Sequence, residues 1–191
     1  DVTRDAERLA PTDLVTLAYV LDELSPEQRN KLVDRLWALT SGALVIVEPG
    51  TPAGWRRILD ARARLVAAGA NILAPCPHQL ACPIVEPDWC HFAARVARSR
   101  VHRLAKEAEV PWEDEKFIYL AASRDPVPAY RSRVLAPPQT ASGRVSLKLC
   151  TSDGADVCQE VERLRGRLDR NREMAAVDGM DELKEVAVSD H

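Results

Sequence analysis

Along the first seventy residues, short apolar runs alternate with segments that have the periodicity of a helix. Residues 13–21 (DLVTLAYVL) and 43–50 (ALVIVEPG) are short apolar runs that predict buried strands. Each run is followed by a segment in which apolar residues recur every three or four positions, which predicts a helix with one buried face. The order strand, helix, strand, helix with short connections predicts a parallel sheet covered by helices.

Both predicted helices carry start and stop signals. Ser or Thr supplies an N-cap, Pro occupies the first turn, and Gly ends the helix. The residues in these roles are Ser25, Pro26, Gln28 and Gly42 in the first helix and Thr51, Pro52 and Gly69 in the second. Gln28 completes a capping box with Ser25. Apolar Trp37 and Trp55 lie on the buried faces and are expected in the core.

Elements after residue 74 are less regular. The pattern predicts a basic helix over 91–108, a third buried strand over 117–123 and an antiparallel strand near a sheet edge over 144–150. It also predicts a short charged helix over 156–170 and a weakly structured tail over 171–191. The helix over 91–108 would belong to an inserted element, residues 74–116, that carries most of the cysteines.

Charge and hydropathy narrow the classes of function. The net charge of −3 and the isoelectric point near 5.9 give no global sign of a nucleic-acid binder, so such a role would need a local patch. One patch exists, because residues 91–106 contain five bases and no acid. No apolar run is long enough to cross a membrane, and the charged N-terminus does not resemble a signal peptide. These features predict a soluble protein that is not secreted.

Several catalytic and cofactor motifs are missing from the sequence. The eight glycines include no G-x-G pair, so the glycine-rich turn that binds a dinucleotide or a nucleoside cofactor is not visible. The sequence also has no P-loop, no G-x-S-x-G elbow and no H-E-x-x-H helix. Glu48, at the end of the second strand, stands where a substrate-facing acid would lie, or it caps the next helix. No catalytic residue is assigned.

Three of the five cysteines lie within the segment APCPHQLACPIVEPDWCHF, residues 74–92. Cys76, Cys82 and Cys90 are separated by six and eight residues, and Cys150 follows sixty residues later. Four thiolates could hold one zinc ion or an iron-sulfur cluster. Zinc sites usually contain a short C-x(2–4)-C pair, which this chain lacks, and wider spacing suits a larger cluster. Free buried cysteines and disulfides remain alternatives.

Neighbouring side chains could assist such a site. His78 and His91 lie next to cysteines, where they would more often support ligands than act as ligands. Trp89 would shield the loop.

The motifs DLVTLAYVLDEL, LVIVEPGTPAGWRRILDARARL, APCPHQLACPI, WCHF, RVARSRVHRLAK, EDEKFIYLAASR and SLKLC occur in this order between residues 13 and 150. The chain resembles the mitochondrial small-ribosomal-subunit methyltransferase-like family, which also has bacterial members. The resemblance implies an α/β fold, the C-terminal half of a class I methyltransferase-like (Rossmann-like) sheet with helices on both faces and a cysteine-rich metal-binding insertion. Residues 1–191 would then form a partial domain without the glycine-rich half that binds the methyl donor.

The same resemblance implies a cofactor and partners. Cys76, Cys82, Cys90 and Cys150 would be the ligands of a [4Fe-4S] cluster, with zinc as the alternative, and Cys158 would be left over. S-adenosylmethionine would bind only with the missing N-terminal half. The partners would be small-subunit rRNA and the small ribosomal subunit. The compartment would be the cytoplasm of a bacterium or the mitochondrial matrix of a eukaryote.

Three hypotheses follow for the function. The first is a ribosome assembly factor that binds rRNA and uses the cluster as a scaffold. The second is an active S-adenosylmethionine-dependent rRNA methyltransferase with its donor site upstream of Asp1. The third is a zinc-stabilised interaction module without an RNA role. The predicted RNA-binding residues are Arg95, Arg98, Arg103 and Lys106. In the helix over 91–108, Arg95 and Arg98 share a basic stripe with His91 and His102, and Arg103 and Lys106 lie close by. The alternative is that this stripe is a solvated face paired with nearby acids, including residues 113–115.

Overall fold

The fold was analysed in a computed structural model, which describes residues 9–99, 101, 105, 110–126, 128, 130–142 and 144–162. Within these ranges the chain forms two α-helices and nine strands in two sheets. The first sheet contains β1 (Thr12–Ala18), β2 (Thr40–Pro49), β3 (Asn71–Ala74), β4 (Phe92–Ala97) and β5 (Trp112–Ser123). The second contains β6 (Ser132–Val134), β7 (Gln139–Ala141), β8 (Arg144–Thr151) and β9 (Asp156–Glu162). The helices are α1 (Pro26–Leu39) and α2 (Pro52–Ala67).

The first helix begins as predicted and ends earlier. The Ser25 hydroxyl accepts a hydrogen bond from the Gln28 amide at 3.3 Å, and the Gln28 side chain accepts one from the Ser25 amide at 2.9 Å. The prediction that Gly42 ends α1 is wrong, because Gly42 lies inside β2. A β-carbon there would lie 2.5 Å from the carbonyl oxygen of Asp13 on β1, so glycine permits the close approach of the two strands.

The predicted boundaries of the second helix are confirmed. The Thr51 hydroxyl accepts a hydrogen bond from the Gly54 amide at 3.1 Å, and Pro52 occupies the first turn. The helix ends at Ala67, and Gly69 adopts a positive φ of 80° just beyond it. That left-handed conformation is the usual one after a helix end and favours glycine.

Strand order in the first sheet is β1-β2-β5-β3, and β4 pairs with the N-terminal part of β5. The predicted parallel arrangement is confirmed for β1 and β2. It is wrong for the strand predicted over 117–123, because β5 runs antiparallel to β2, β3 and β4. The sheet is therefore mixed, and it is compatible with a methyltransferase-like fold.

Both described helices lie on the same face of this sheet, rather than one on each face as predicted. They pack against each other and against the same core side chains, including Leu44, Ile46 and Leu120. The reason is topological. The crossovers from β1 to β2 and from β2 to β3 move in the same direction across the sheet, and right-handed crossovers in one direction place their helices on one side.

The helix predicted over 91–108 is wrong for its first part. Phe92–Ala97 forms β4, although Val101 and Ala105 do have helical backbone. β5 extends beyond the end of β2, since Phe117 is its first residue opposite that strand. β4 supplies hydrogen-bonding partners for this extension by pairing Phe92 with Phe117 through Ala97 with Trp112. Pairing with a distant strand thus overrides the local helical pattern.

The second sheet is antiparallel and is built around β8. The antiparallel strand predicted over 144–150 is confirmed, but it is the central strand of a separate sheet, because β6, β7 and β9 all pair with it. The helix predicted over 156–170 is wrong for Asp156–Glu162, which forms β9. Residues 163–170 of that prediction, and the predicted tail over 171–191, lie outside the described residues.

Candidate metal centre

Four cysteines lie near one another, three on one loop and one on a strand of the second sheet. Cys76, Cys82 and Cys90 lie on the cysteine loop, residues 75–91, which joins β3 to β4 and contains no helix or strand. The three side chains are partly buried and pack against the apolar core. Cys150, near the end of β8, is 5% exposed. None of the four forms a disulfide within the described residues.

The thiols are close enough to influence one another electrostatically. Burial, and then the charges of Cys76, Cys82 and Cys150, raise the pKa of the Cys90 thiol to about 12. Burial also raises the pKa of Cys76, whereas the positive charge of nearby Arg62 opposes that rise. The metal-free thiols of Cys76 and Cys90 are therefore protonated near neutral pH, and a bound cation would have to displace their protons.

Two buried side chains connect the loop to its surroundings. Arg62 of α2 donates a hydrogen bond from Nη2 to the carbonyl oxygen of His78 at 2.7 Å. The His78 Nε2 atom lies 3.4 Å from the Cys150 Sγ, within hydrogen-bonding distance for sulfur. Burial, followed by the charge of Arg62, lowers the pKa of His78 and keeps its imidazole neutral. A chain of contacts thus runs from α2 through the loop to β8.

Aromatic residues and a further arginine surround the same thiols. The Tyr130 hydroxyl lies 3.2 Å from the carbonyl oxygen of Cys76. Arg133 of β6 donates a hydrogen bond to the Tyr119 hydroxyl at 3.0 Å, and its guanidinium lies 5.2 Å from the ring centroid of Phe92. Its positive charge opposes the rise in pKa of the nearby thiols. The centre is therefore lined by donors and positive charge.

The far part of the loop is tethered to regular structure. Trp89 donates a hydrogen bond from its indole nitrogen to the carbonyl oxygen of Gly50 at 3.0 Å and stacks on His91, with ring centroids 5.2 Å apart. Glu86 accepts a hydrogen bond from Arg56 of α2 at 2.8 Å. Asp88 forms an ion pair with Lys148 of β8. These contacts hold the loop in place on both sides of the cysteines.

The types of donor at this site, rather than their present arrangement, fit a thiolate-bound metal centre. Thiolates are the donors that zinc and iron-sulfur clusters prefer. Arg62 is 5% exposed, yet its Nε has no hydrogen-bond partner, and no carboxylate among the described residues pairs with it. A buried cation of this kind requires a nearby anion. Within the described ranges, no three His, Cys, Asp or Glu side chains are arranged closely enough to hold a metal ion.

The predicted RNA-binding arginines are engaged in ion pairs. Arg95 donates hydrogen bonds to Asp114 at 2.9 and 3.1 Å and stacks over Trp112, with its guanidinium carbon 3.7 Å from the ring centroid. Arg98 donates a hydrogen bond to Glu113 at 3.0 Å. These acids belong to the 113–115 segment that was considered as an alternative partner. Arg103 and Lys106 lie outside the described residues.

Glu48 neither projects from the strand end nor caps the next helix. It is fully buried, accepts a hydrogen bond from the Leu21 amide at 3.1 Å and is paired with Arg57 at 2.8 Å. Arg57 also forms an ion pair with Asp22 at 2.6 Å. The carboxylate therefore anchors α2 to the turn that follows β1.

Comparison with known proteins shows to which family this chain belongs. Residues 1–172 match the family described as mitochondrial small ribosomal subunit Rsm22. The chain belongs to the Rsm22 family. A human protein, the mitochondrial ribosome assembly protein METTL17, is 33% identical over 155 residues, which are 74% of this chain and 33% of the human protein. The Rsm22-family chain thus spans about one third of the length of this relative. The family resemblance predicted from the motifs is confirmed.

The sequence analysis of this Rsm22-family chain missed Arg62, Arg133 and Tyr130. A signal for Arg62 was present, because it falls on the apolar stripe of α2, four residues after Ile58 and three before Leu65. A charged residue at such a position is either buried with a partner or excluded from the core. No comparable signal marks Arg133 or Tyr130, whose proximity to the thiols arises from the pairing of distant strands.

Proposed function

We propose that this chain is the metal-binding part of a factor that assembles the small ribosomal subunit, and that Cys76, Cys82, Cys90 and Cys150 hold a [4Fe-4S] cluster there. Membership of the Rsm22 family and the similarity to a human ribosome assembly protein support the assembly role. The observation that carries the cluster is the meeting of four thiols from two segments sixty residues apart. The human relative is named as mitochondrial, which favours the matrix for a eukaryotic source and the cytoplasm for a bacterial one.

The role proposed for the cluster is structural. When bound, it would cross-link the cysteine loop to β8 and replace the protons of four buried thiols. Because the loop contains no regular structure, its ordering gains little from backbone hydrogen bonds, and metal binding would supply the missing free energy. Arg62 and His78 already hold the loop close to Cys150. The cysteine spacing without a C-x(2–4)-C pair favours the larger cluster over zinc.

Anaerobic purification followed by visible spectroscopy and analysis of iron, sulfide and zinc tests this assignment. We expect a broad absorption band near ~400 nm and about four irons per chain. A colourless protein with one zinc per chain would retain the structural role of the centre, with zinc in place of the cluster. A protein with neither metal would overturn the metal centre and leave four buried free cysteines.

The proposal includes contact with small-subunit rRNA through the basic segment, residues 91–106. Arg95 and Arg98 are already paired with acids, so breaking those pairs would offset part of any gain from phosphate contacts. We therefore assign the larger share of phosphate binding to Arg103 and Lys106.

Binding of the purified protein to small-subunit rRNA across a salt titration tests the RNA contact. Replacing Arg103 and Lys106 by Gln should weaken binding and reduce the salt slope by about one for each lost phosphate contact. The matched double variant of Arg95 and Arg98 should have the smaller effect. Flat binding across salt would contradict the RNA role and favour a zinc-stabilised interaction module.

Methyl transfer is the second candidate function, because the mixed sheet is compatible with a methyltransferase-like fold. The engagement of Glu48 by Arg57 and the Leu21 amide favours the assembly role, since this carboxylate is not available to a substrate. The S-adenosylmethionine site of such an enzyme would lie outside residues 1–191, which contain no glycine-rich donor turn. Transfer of a labelled methyl group from S-adenosylmethionine to small-subunit rRNA by the full-length protein would establish the enzyme.

A further inference from the structure

Arg62 is a buried cation for which the described residues provide no paired carboxylate. It is 5% exposed, and the hydrogen bond that anchors its side chain among the described residues runs from Nη2 to the His78 carbonyl oxygen. The Nε atom has no partner, and no ion pair to Asp or Glu exists for it in the part of the chain that the structure describes. Arg57, five residues earlier on α2, is buried to a similar degree but is paired with Glu48 and Asp22.

The anions available to Arg62 are the cysteines. Its guanidinium lies close to the Cys76 thiol. Its hydrogen bond to His78 also links it to Cys150, because the His78 ring lies 3.4 Å from that sulfur. A buried charge is strongly unfavourable unless an opposite charge is near. Protonated thiols cannot provide that charge, whereas metal-bound thiolates can.

We propose that Arg62 is the buried counter-charge and positioning residue of the four-cysteine centre. This inference rests on the proposed function, in which the four cysteines bind a metal. Four thiolates carry more negative charge than a dipositive zinc ion or a dipositive cluster core neutralises, so the loaded centre is an anion inside the protein. Arg62 compensates this anion and fixes the loop segment that carries Cys76 and His78.

The proposal predicts that removing the charge of Arg62 has different consequences with and without metal. In the loaded protein, Arg62→Met should release the metal to a chelator about tenfold to a hundredfold faster than the wild type, as for other residues that support metal ligands. In the metal-free protein, the same substitution should leave the melting temperature unchanged or raise it, because an unpaired buried charge is replaced by an apolar side chain of similar length. Arg62→Lys should retain most of the metal.

Arg64→Met is the matched control. Arg64 lies two residues away on α2, is partly exposed and is paired with Asp34. The control substitution should not change metal release, and it should change the melting temperature by the same small amount in both states.

Metal content of the wild type is measured first, so that the two proposals can be separated. A wild type without iron or zinc overturns the metal centre and, with it, the role of Arg62. A metal-loaded wild type with equal release rates for the wild type and Arg62→Met overturns the role of Arg62 alone. Equal destabilisation by Arg62→Met with and without metal, with no rescue by Arg62→Lys, would show a packing role and also overturn the inference.

Discussion

In the helix-covered sheet, β1 to β3 and β5 with α1 and α2, leucine and isoleucine side chains from both layers are almost fully excluded from water, among them Leu32, Leu44, Leu65 and Leu120. The cysteine loop has a different basis. It contains no helix or strand, and it is held by single hydrogen bonds and ion pairs and by a few side chains, Ile84 and the three cysteines among them, that reach the core. The first region gains its stability from apolar burial and regular hydrogen bonding, whereas the second leaves a buried charge without a carboxylate partner. The sheet can fold from its own sequence, whereas under the proposed function the loop would gain stability from a bound metal.

The same difference is visible between two arginines of α2. Arg57 belongs to the sheet, and its charge is matched by Glu48 and Asp22. Arg62 faces the cysteine loop, and the described residues offer it no carboxylate. Two arginines on one helix therefore differ in their partners: Arg57 is paired with carboxylates, and among the described residues Arg62 is not.

The largest expected effect comes from breaking the metal centre. Cys82→Ser should abolish metal binding and lower the free energy of unfolding by several kcal/mol, since structural metal sites contribute on the order of 10 kcal/mol to folding. Metal analysis and thermal unfolding of the variant measure this. Cys158→Ser, the leftover cysteine, should leave both quantities nearly unchanged. Equal effects of the two substitutions would show that the ligand set is wrong.

A second prediction concerns the completed contact in the sheet. Glu48→Gln removes the fully buried partner of Arg57 and should cost about 3–5 kcal/mol in denaturant unfolding, because the guanidinium stays buried. Asp22→Asn is the control and should cost no more than about 1 kcal/mol, since Asp22 is 64% exposed. Metal content should be unchanged in both variants. A stable Glu48→Gln protein would contradict the anchoring role of this carboxylate.

A third prediction tests whether the two regions are energetically independent. Leu44→Ala should create a cavity under the helices and cost about 2–5 kcal/mol. The cost should be similar in the metal-loaded and metal-free protein, because Leu44 packs under the helices and makes no hydrogen bond or ion pair with the cysteine loop among the described residues. Denaturant titrations in both states measure it. A cost that appears only in the loaded protein would show that the sheet, too, depends on the metal.

The smallest effect is local to one helix end. Ser25→Ala removes the cap of α1 and should cost about 1 kcal/mol. Lys31→Ala, which removes an exposed pair with Glu27 in the same helix, should cost about 0.5 kcal/mol or less. Neither change should alter metal binding. A loss of metal from either variant would contradict the separation of the two regions.

The sequence predicted much of the first region and less of the second. Capping signals at Ser25 and Thr51 located the helix starts, and the apolar runs located β1 and β2. The helix predicted over 91–108 failed at Phe92–Ala97, because β5 needed a partner beyond the end of β2. The assignment of Arg95 and Arg98 to RNA did not anticipate that Asp114 and Glu113 of β5 form ion pairs with them.

For this protein, the sequence alone determined the family, the helix starts and the set of cysteines, because these depend on motifs and on contacts between residues close in the chain. Only the tertiary structure decided that β4 is a strand, that both helices share one face, and that Cys150 lies beside the cysteine loop. It also decided that Arg62 is buried without a carboxylate. These outcomes depend on pairing and packing between segments far apart in the chain, which no local pattern of residues specifies.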